Sequence, residues 1–181
     1  MTDWRATLEQ ERAAKDDFFS EHPHSPIPDD EQSSFEGLRY FEPDPDLRFE
    51  LGLDSFVAPS TITVETTQDR SQHYEQVGEF SFTVGGTDCS LFAYQSPGED
   101  DESLWVPFRD ETNGEETYDA GRYLDLGPEE RVGDRWVLDF NRAYSPFCAF
   151  SDAYECPLVP TENWLDVRIE AGEKYPPRVE E

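Results

Sequence analysis

Two alternating runs, Glu79-Phe-Ser-Phe-Thr-Val84 and Thr87-Asp-Cys-Ser-Leu-Phe-Ala-Tyr94, meet at Gly85-Gly86. Alternation is the period of a strand, and a Gly-Gly pair tolerates the positive φ that a two-residue hairpin turn requires. The register follows: Val84 lies opposite Thr87, Phe82 opposite Cys89 and Phe80 opposite Leu91. One apolar face then runs across both strands, and a slip of a single residue would turn it to solvent. Cys89 is thereby expected in a core, as a small apolar residue without chemistry. An antiparallel sheet with one buried face is the framework into which the rest of the chain must fit.

Shorter segments repeat the pattern. Leu38 and Tyr40, then Leu47, Phe49 and Leu51, then Ile62 and Val64 alternate, and Trp136, Leu138 and Phe140 do the same. Residues 104–108 and 122–126 read as further strands, and Leu165, Val167 and Ile169 as a last, half-exposed one. About eight to ten short strands at close spacing place the chain in the mainly β class, as an antiparallel β-barrel or sandwich. Ahead of it, residues 3–20 form an amphipathic α-helix with Trp4, Leu8, Lys15 and Phe18–Phe19 near one face. His22-Pro-His24-Ser-Pro26 ends that helix, because proline disfavours the helical region for the residue before it. The expected organisation is an N-terminal helix over 1–21, a polar connector over 22–34, one β-rich domain over 35–175 and an acidic tail over 176–181. His22 and His24 read as solvated loop residues, so no metal and no cofactor is expected.

This sheet must fold while carrying 42 acidic residues against 14 basic ones, a net charge of -28. Disorder does not follow, because 13 Phe, 8 Tyr and 4 Trp supply the apolar surface that disordered acidic chains lack. Mutual repulsion of the carboxylates opposes compaction in dilute buffer, yet at 1 M salt the screening length falls to roughly 3 Å. Lysine occurs only at Lys15 and Lys174, and arginine supplies the other basic residues. Many short carboxylates and few ammonium stems predict a protein adapted to a molar-salt cytoplasm. The same charge argues against nucleic acid and anionic membranes as partners, since both need a basic face. No run approaches the ~20 apolar residues of a membrane span, and the first residues lack the basic-then-apolar pattern of a signal peptide. A cytoplasmic location is expected. The sequence leaves the oligomeric state open.

Residues 105–173 contain more polar motif than a plain sheet needs. Asn113-Gly114 is a turn signal, and a two-residue hairpin there would set Arg109 opposite Tyr118, Asp110 opposite Thr117 and Glu111 opposite Glu116. Like charges facing each other across a strand pair are unfavourable, so a cation or high salt should relieve the two glutamates. Asp110 continues the apolar row of Leu104, Val106 and Phe108, and a buried carboxylate needs partners; Thr117 and Arg122 are candidates. Cys148 and Cys156 are too far apart in sequence for a zinc ribbon. Reduced thiols, a disulfide and half of a metal site are all open.

Read together, these stretches resemble an uncharacterised family, domain of unknown function 1684, from about Lys15 to Lys174. The resemblance is carried by Lys15-Asp-Asp-Phe-Phe19 with Ser25-Pro26, by Phe35-Glu-Gly-Leu-Arg-Tyr-Phe41, and by Pro107 to Tyr118 with Gly121-Arg-Tyr-Leu124. It continues through Asp139-Phe-Asn-Arg-Ala-Tyr144, Pro146, Cys148-Ala-Phe-Ser151 and Cys156-Pro157, then Pro160, Asn163, Leu165 and Ala171-Gly-Glu173. It implies no activity. It does imply that Arg109, Asp110, Glu116, Tyr118, Arg122, Asp139, Asn141, Cys148 and Cys156 belong to one pattern. The leading functional expectation is a small-molecule-binding domain with Arg109, Asp110, Glu116, Tyr118, Arg122, Asp139 and Asn141 around the ligand. One alternative is a hydrolase-like enzyme using a carboxylate or a cysteine, although the only histidines, His22, His24 and His73, lie outside the motif. The other is an interaction module in which the motif only supports a loop.

Overall fold

The computed structural model describes residues 2–96, 103–151 and 154–179. Helix α1 (Thr2–Glu21) is followed by a single helical turn, α2 (Asp29–Gln32), and by strand β1 (Phe35–Gly37). Then come β2 (Arg48–Gly52), β3 (Asp54–Glu65), β4 (Ser71–Val84), β5 (Thr87–Gln95), β6 (Leu104–Phe108) and β7 (Arg122–Leu126). The short β8 (Arg131–Val132), β9 (Arg135–Asp139) and β10 (Arg178–Val179) complete the order. Five strands run β3-β4-β5-β6-β7 in one antiparallel sheet, three run β2-β9-β8 in a second, and β1 pairs with β10 in a third. Among the described residues no sheet closes on itself, so the architecture is sandwich-like rather than a barrel. No helix among the described residues is long and apolar enough to cross a membrane.

The β4–β5 hairpin has the expected register, with Val84 opposite Thr87, Phe82 opposite Cys89 and Phe80 opposite Leu91. Gly85 and Gly86 both take positive φ, 56° and 84°, which is the backbone such a turn needs. The apolar face of that hairpin meets β9 and the chain beyond it. Phe80, Leu91, Val106, Phe108, Leu138, Phe140 and Ile169 are fully shielded from water, and Phe140 packs its ring against Phe49, Phe82 and Phe108. Cys89 departs from expectation: it is half-buried on the rim of this core, near the hairpin end.

Leu165, Val167 and Ile169 point inward, as their alternation requires, but they do not form a strand of any sheet. This segment bonds instead to the chain after β6, through Leu165 N–H to the Arg109 carbonyl (2.8 Å) and Glu111 N–H to the Val167 carbonyl (2.9 Å). Alternation reports which face is buried; it does not report what supplies the hydrogen bonds.

A second, smaller core fastens α1. Phe19, Ile27, Phe35 and Leu38 are buried together, with Phe147 and Phe150 packed against them; the rings of Phe19 and Phe150 meet edge-on at 5.2 Å. Trp4 Nε1 donates to Asp139 (2.7 Å), and the Asp16 carboxylate accepts from the Leu38 N–H (2.9 Å). The predicted inward face of the helix is thus the observed one. The connector includes α2, and the segment read as an acidic tail contributes β10 to a sheet.

Cys148 and Cys156 are joined as a disulfide, with Cα atoms 6.3 Å apart. The bond closes the loop that carries Phe147 and Phe150, so it steadies the seat of Phe19. For a loop this short, restricting the unfolded chain is worth about 2–3 kcal/mol. Reduction in molar KCl should therefore lower stability to denaturant by that amount, and thiol labelling of the oxidised native protein should find Cys89 alone. Equal stability with and without reductant would show that the bond is not formed or not felt.

Candidate functional site

The loop between β6 and β7 does not form the hairpin expected around Asn113-Gly114. The β6 ladder ends at Phe108, and Arg109 pairs instead with Trp164. What reorganises the loop is the carboxylate of Asp110, which is fully shielded from water. One oxygen accepts from Thr112 Oγ1 (2.8 Å), Thr112 N–H (3.3 Å) and Ile169 N–H (2.7 Å). The other faces Arg122 Nη2 at 3.4 Å. Asn113 completes the wrap, accepting from Asp110 N–H (2.8 Å) and donating to Thr117 Oγ1 (2.8 Å) and the Tyr118 carbonyl (3.1 Å). A buried carboxylate left with fewer donors would cost several kcal/mol, more than a tight turn could return.

Arg122 is the largest fully buried side chain described. Its guanidinium donates to the carbonyls of Ile169 (2.9 Å), Ala171 and Glu173 (3.3 Å), and lies over the Phe108 ring. Burial pulls its pKa down, and the Asp110 charge opposes that pull. Glu111 is exposed and does not face Glu116. Glu116 is paired by Arg168 and by Lys174 (3.7 Å), so the cations that relieve it come from the chain beyond residue 165. The Arg109 guanidinium rests 4.5 Å over Trp164, and Tyr118 meets Tyr175 edge-on.

Asp139 and Asn141 form a second closed network. Asp139 accepts from Trp4, from Asn141 N–H (3.0 Å) and from Asn141 Nδ2 (2.8 Å). Asn141 also exchanges two hydrogen bonds with the backbone of Asp44, both at 2.8 Å. The seven residues expected around a ligand are thus divided. Asp110, Arg122, Asp139 and Asn141 serve the interior, while Arg109, Glu116 and Tyr118 sit at other packing contacts.

Between the two networks passes Ala171-Gly172-Glu173. Gly172 has φ +84°, and a Cβ there would stand 2.7 Å from the Phe140 carbonyl and 2.8 Å from that of Ala143. Only glycine permits so close an approach, and its consequence is to set the Glu173 carboxylate beneath α1. Glu173 is fully buried; it pairs with Lys15 Nζ at 2.6 Å and accepts from Ser145 N–H at 3.3 Å.

A crevice of about 160 Å³ lies here, walled on one side by α1 and on the other by Tyr40, residues 141–144 and Glu173. Three cations line it, Arg12, Lys15 and Arg142, together with two carboxylates, Glu11 and Glu173. Arg12 donates to the carbonyls of Phe41 (3.0 Å) and Asn141 (3.2 Å) and stacks 4.3 Å from the Tyr40 ring centre. Lys15 also sits over the Tyr144 ring, and Arg142 Nε reaches Glu11 at 3.0 Å. Two buried polar atoms of these walls, Arg12 Nε and the Tyr40 hydroxyl, have no hydrogen-bond partner. Burial, reinforced by the charges of Glu173 and Asp16, pushes the Tyr40 pKa up, so its hydroxyl stays protonated. Both orphaned groups can therefore donate, and both suit an acceptor. Of the residues singled out from sequence as ligand-binding, Asn141 alone lines this crevice; Arg12, Lys15, Tyr40, Arg142 and Glu173 were not among them. One signal did exist: the chain has only two lysines, and one of them, Lys15, falls on the expected inward face of the helix, where it meets Glu173.

Among the described residues, no group of three or more His, Cys, Asp or Glu side chains is placed to hold a metal ion. The disulfide between Cys148 and Cys156 leaves neither sulfur as a thiol nucleophile.

The family model described as "Protein of unknown function (DUF1684)" matches residues 33–174. Among solved structures, the chain is similar to the solution NMR structure of the uncharacterized protein from gene locus rrnAC0354 of Haloarcula marismortui. The two are 44% identical, the match covers 96% of this chain and 95% of that one, and the TM-score is 0.74. No curated protein matches.

Proposed function

We propose, since the chain belongs to the DUF1684 family of proteins of unknown function and membership brings no activity with it, that it is a small-oxyanion-binding domain whose site is the crevice under α1. The observation that carries this reading is the convergence of Arg12, Lys15 and Arg142, against the two carboxylates Glu11 and Glu173, on one small crevice of a chain with net charge -28, with Arg12 Nε and the Tyr40 hydroxyl in its walls lacking partners. A carboxylate-, phosphate- or sulfate-sized anion fits both the volume and the donor set. The orphaned Arg12 N–H and Tyr40 O–H supply two directed hydrogen bonds, which add selectivity that screened charge alone lacks in high salt. Both atoms are covered in the present packing, so the ligand reaches them by drawing α1 slightly outward. Asp110, Arg122, Asp139 and Asn141 support the site: they hold residues 169–173 and 139–142, which carry its floor. The working environment we propose is a molar-salt cytoplasm, in keeping with the acidic composition and the haloarchaeal relative.

Tyr40→Phe tests the site without breaking the fold. The hydroxyl it removes has no partner, so stability should be unchanged or slightly raised. Thermal shift and titration calorimetry in molar KCl, with acetate, citrate, phosphate and sulfate as probes, should give saturable binding to wild type. At a concentration near 100 times Kd, the bound anion should stabilise the protein by about 2.7 kcal/mol. Tyr40→Phe and Arg12→Met should each weaken binding about tenfold or more. No saturable response to any of these probes, or equal responses in wild type and both variants, would falsify the assignment.

A further inference from the structure

Residues 55–64 contain no charged side chain, although 31% of the chain is Asp, Glu, Lys or Arg. They are not hidden. β3 forms an outer edge of the five-stranded sheet, seven of the ten residues are exposed, and the Val57 side chain is fully in solvent. Among the described residues, the backbone of this stretch pairs with β4 alone. Cover begins only at Glu65, whose carbonyl accepts from Leu158 N–H (2.8 Å), and at Thr66, which bridges to Pro157.

An exposed edge strand presents unpaired N–H and C=O groups, and proteins usually guard it with charge, a bulge or proline. The guard here is uneven. A register shift between Ser55 and Ser60, with Pro59 inside it, blunts the first half. The second half, Ser60–Val64, pairs residue for residue with Gln76–Gln72 and has neither bulge nor charge. We propose that Ser60–Val64 is a homodimer interface, in which two copies of β3 pair antiparallel about a two-fold axis and join their five-stranded sheets edge to edge.

Charge selects the occupant. Each copy carries -28, so most approaches of one copy to another set carboxylates against carboxylates. Self-pairing of this edge sets neutral against neutral, and molar salt screens what flanks it. A two-fold axis also makes the strip its own complement, and threonine and β-branched aliphatic residues pair well across strands. The inference stands apart from the crevice and does not depend on it.

Sedimentation equilibrium in molar KCl over a wide concentration range tests it. The mass should rise from 20.9 kDa toward twice that value. In the Thr61→Glu/Thr63→Glu double variant, like charges meet across the axis, and association should weaken about tenfold or more. Amide exchange of the wild type provides a readout that needs no variant: protection should grow with concentration at residues 60–64 and not elsewhere. A mass of one chain at every concentration, a dimer indifferent to the double variant, or concentration-dependent protection at another surface would each overturn the proposal.

Discussion

Arg122→Ala is expected to cost about 3–5 kcal/mol, because it leaves the Asp110 carboxylate buried without its counter-charge. The magnitude rests on geometry. The side chain is completely inside, and it holds Asp110 together with three backbone carbonyls of residues 169–173. The substitution removes all four acceptors' donor at once and opens a cavity beside Phe108. With typical stabilities of about 5–15 kcal/mol, so large a loss would leave the variant marginal. Denaturant unfolding in molar KCl measures it directly. Asp110→Asn should cost less, since Thr112 and the Ile169 N–H keep an oxygen to bond. An Arg122→Ala protein as stable as wild type would mean that the guanidinium is solvated and the loop is an ordinary exposed turn.

The second large effect is that of salt. Lowering KCl from molar to about 10 mM lengthens the screening distance from roughly 3 Å to roughly 30 Å. At that range the carboxylates of a chain with net charge -28 repel one another across the whole molecule. The folded state suffers most, because it holds them closest together. The expected loss is comparable to the total stability, on the order of 5–15 kcal/mol. It should appear as collapse of the near-ultraviolet circular dichroism, reversed when KCl is restored. An unchanged melting temperature across that range would show that repulsion is not what the acidic composition answers to.

The hairpin at Gly85-Gly86 was legible because every cue is local: period-two apolar residues, a turn that only glycines accept readily, and one consistent buried face. The Asn113-Gly114 segment offers similar cues and folds differently. Its outcome is decided by the Asp110 carboxylate: Arg122 is the partner expected for it, but Thr112 takes the place expected for Thr117, and Ile169 N–H is a donor that no local pattern announces. Residues 165–169 show the same division, with burial readable from alternation and pairing not. The resemblance brought Lys15, Tyr40, Arg142, Tyr144 and Glu173 into view as motif residues, but not as neighbours. The crevice exists because α1 docks across two stretches more than a hundred residues away, and because Gly172 lets the chain pass close to Phe140. The Cys148–Cys156 bond was one of three open alternatives, and the spacing alone could not choose among them.

The most direct measurement for the site is NMR titration of ¹⁵N-labelled protein with phosphate at constant ionic strength in molar KCl, observing the Arg12 Nε–H and the amides of residues 40 and 141–144. The site under α1 predicts saturable shifts with one common Kd at these positions, a displaced Arg12 Nε–H resonance, and a Kd about tenfold or more weaker in Tyr40→Phe. Small, linear shifts spread over the surface, with the Arg12 resonance unmoved, would contradict it.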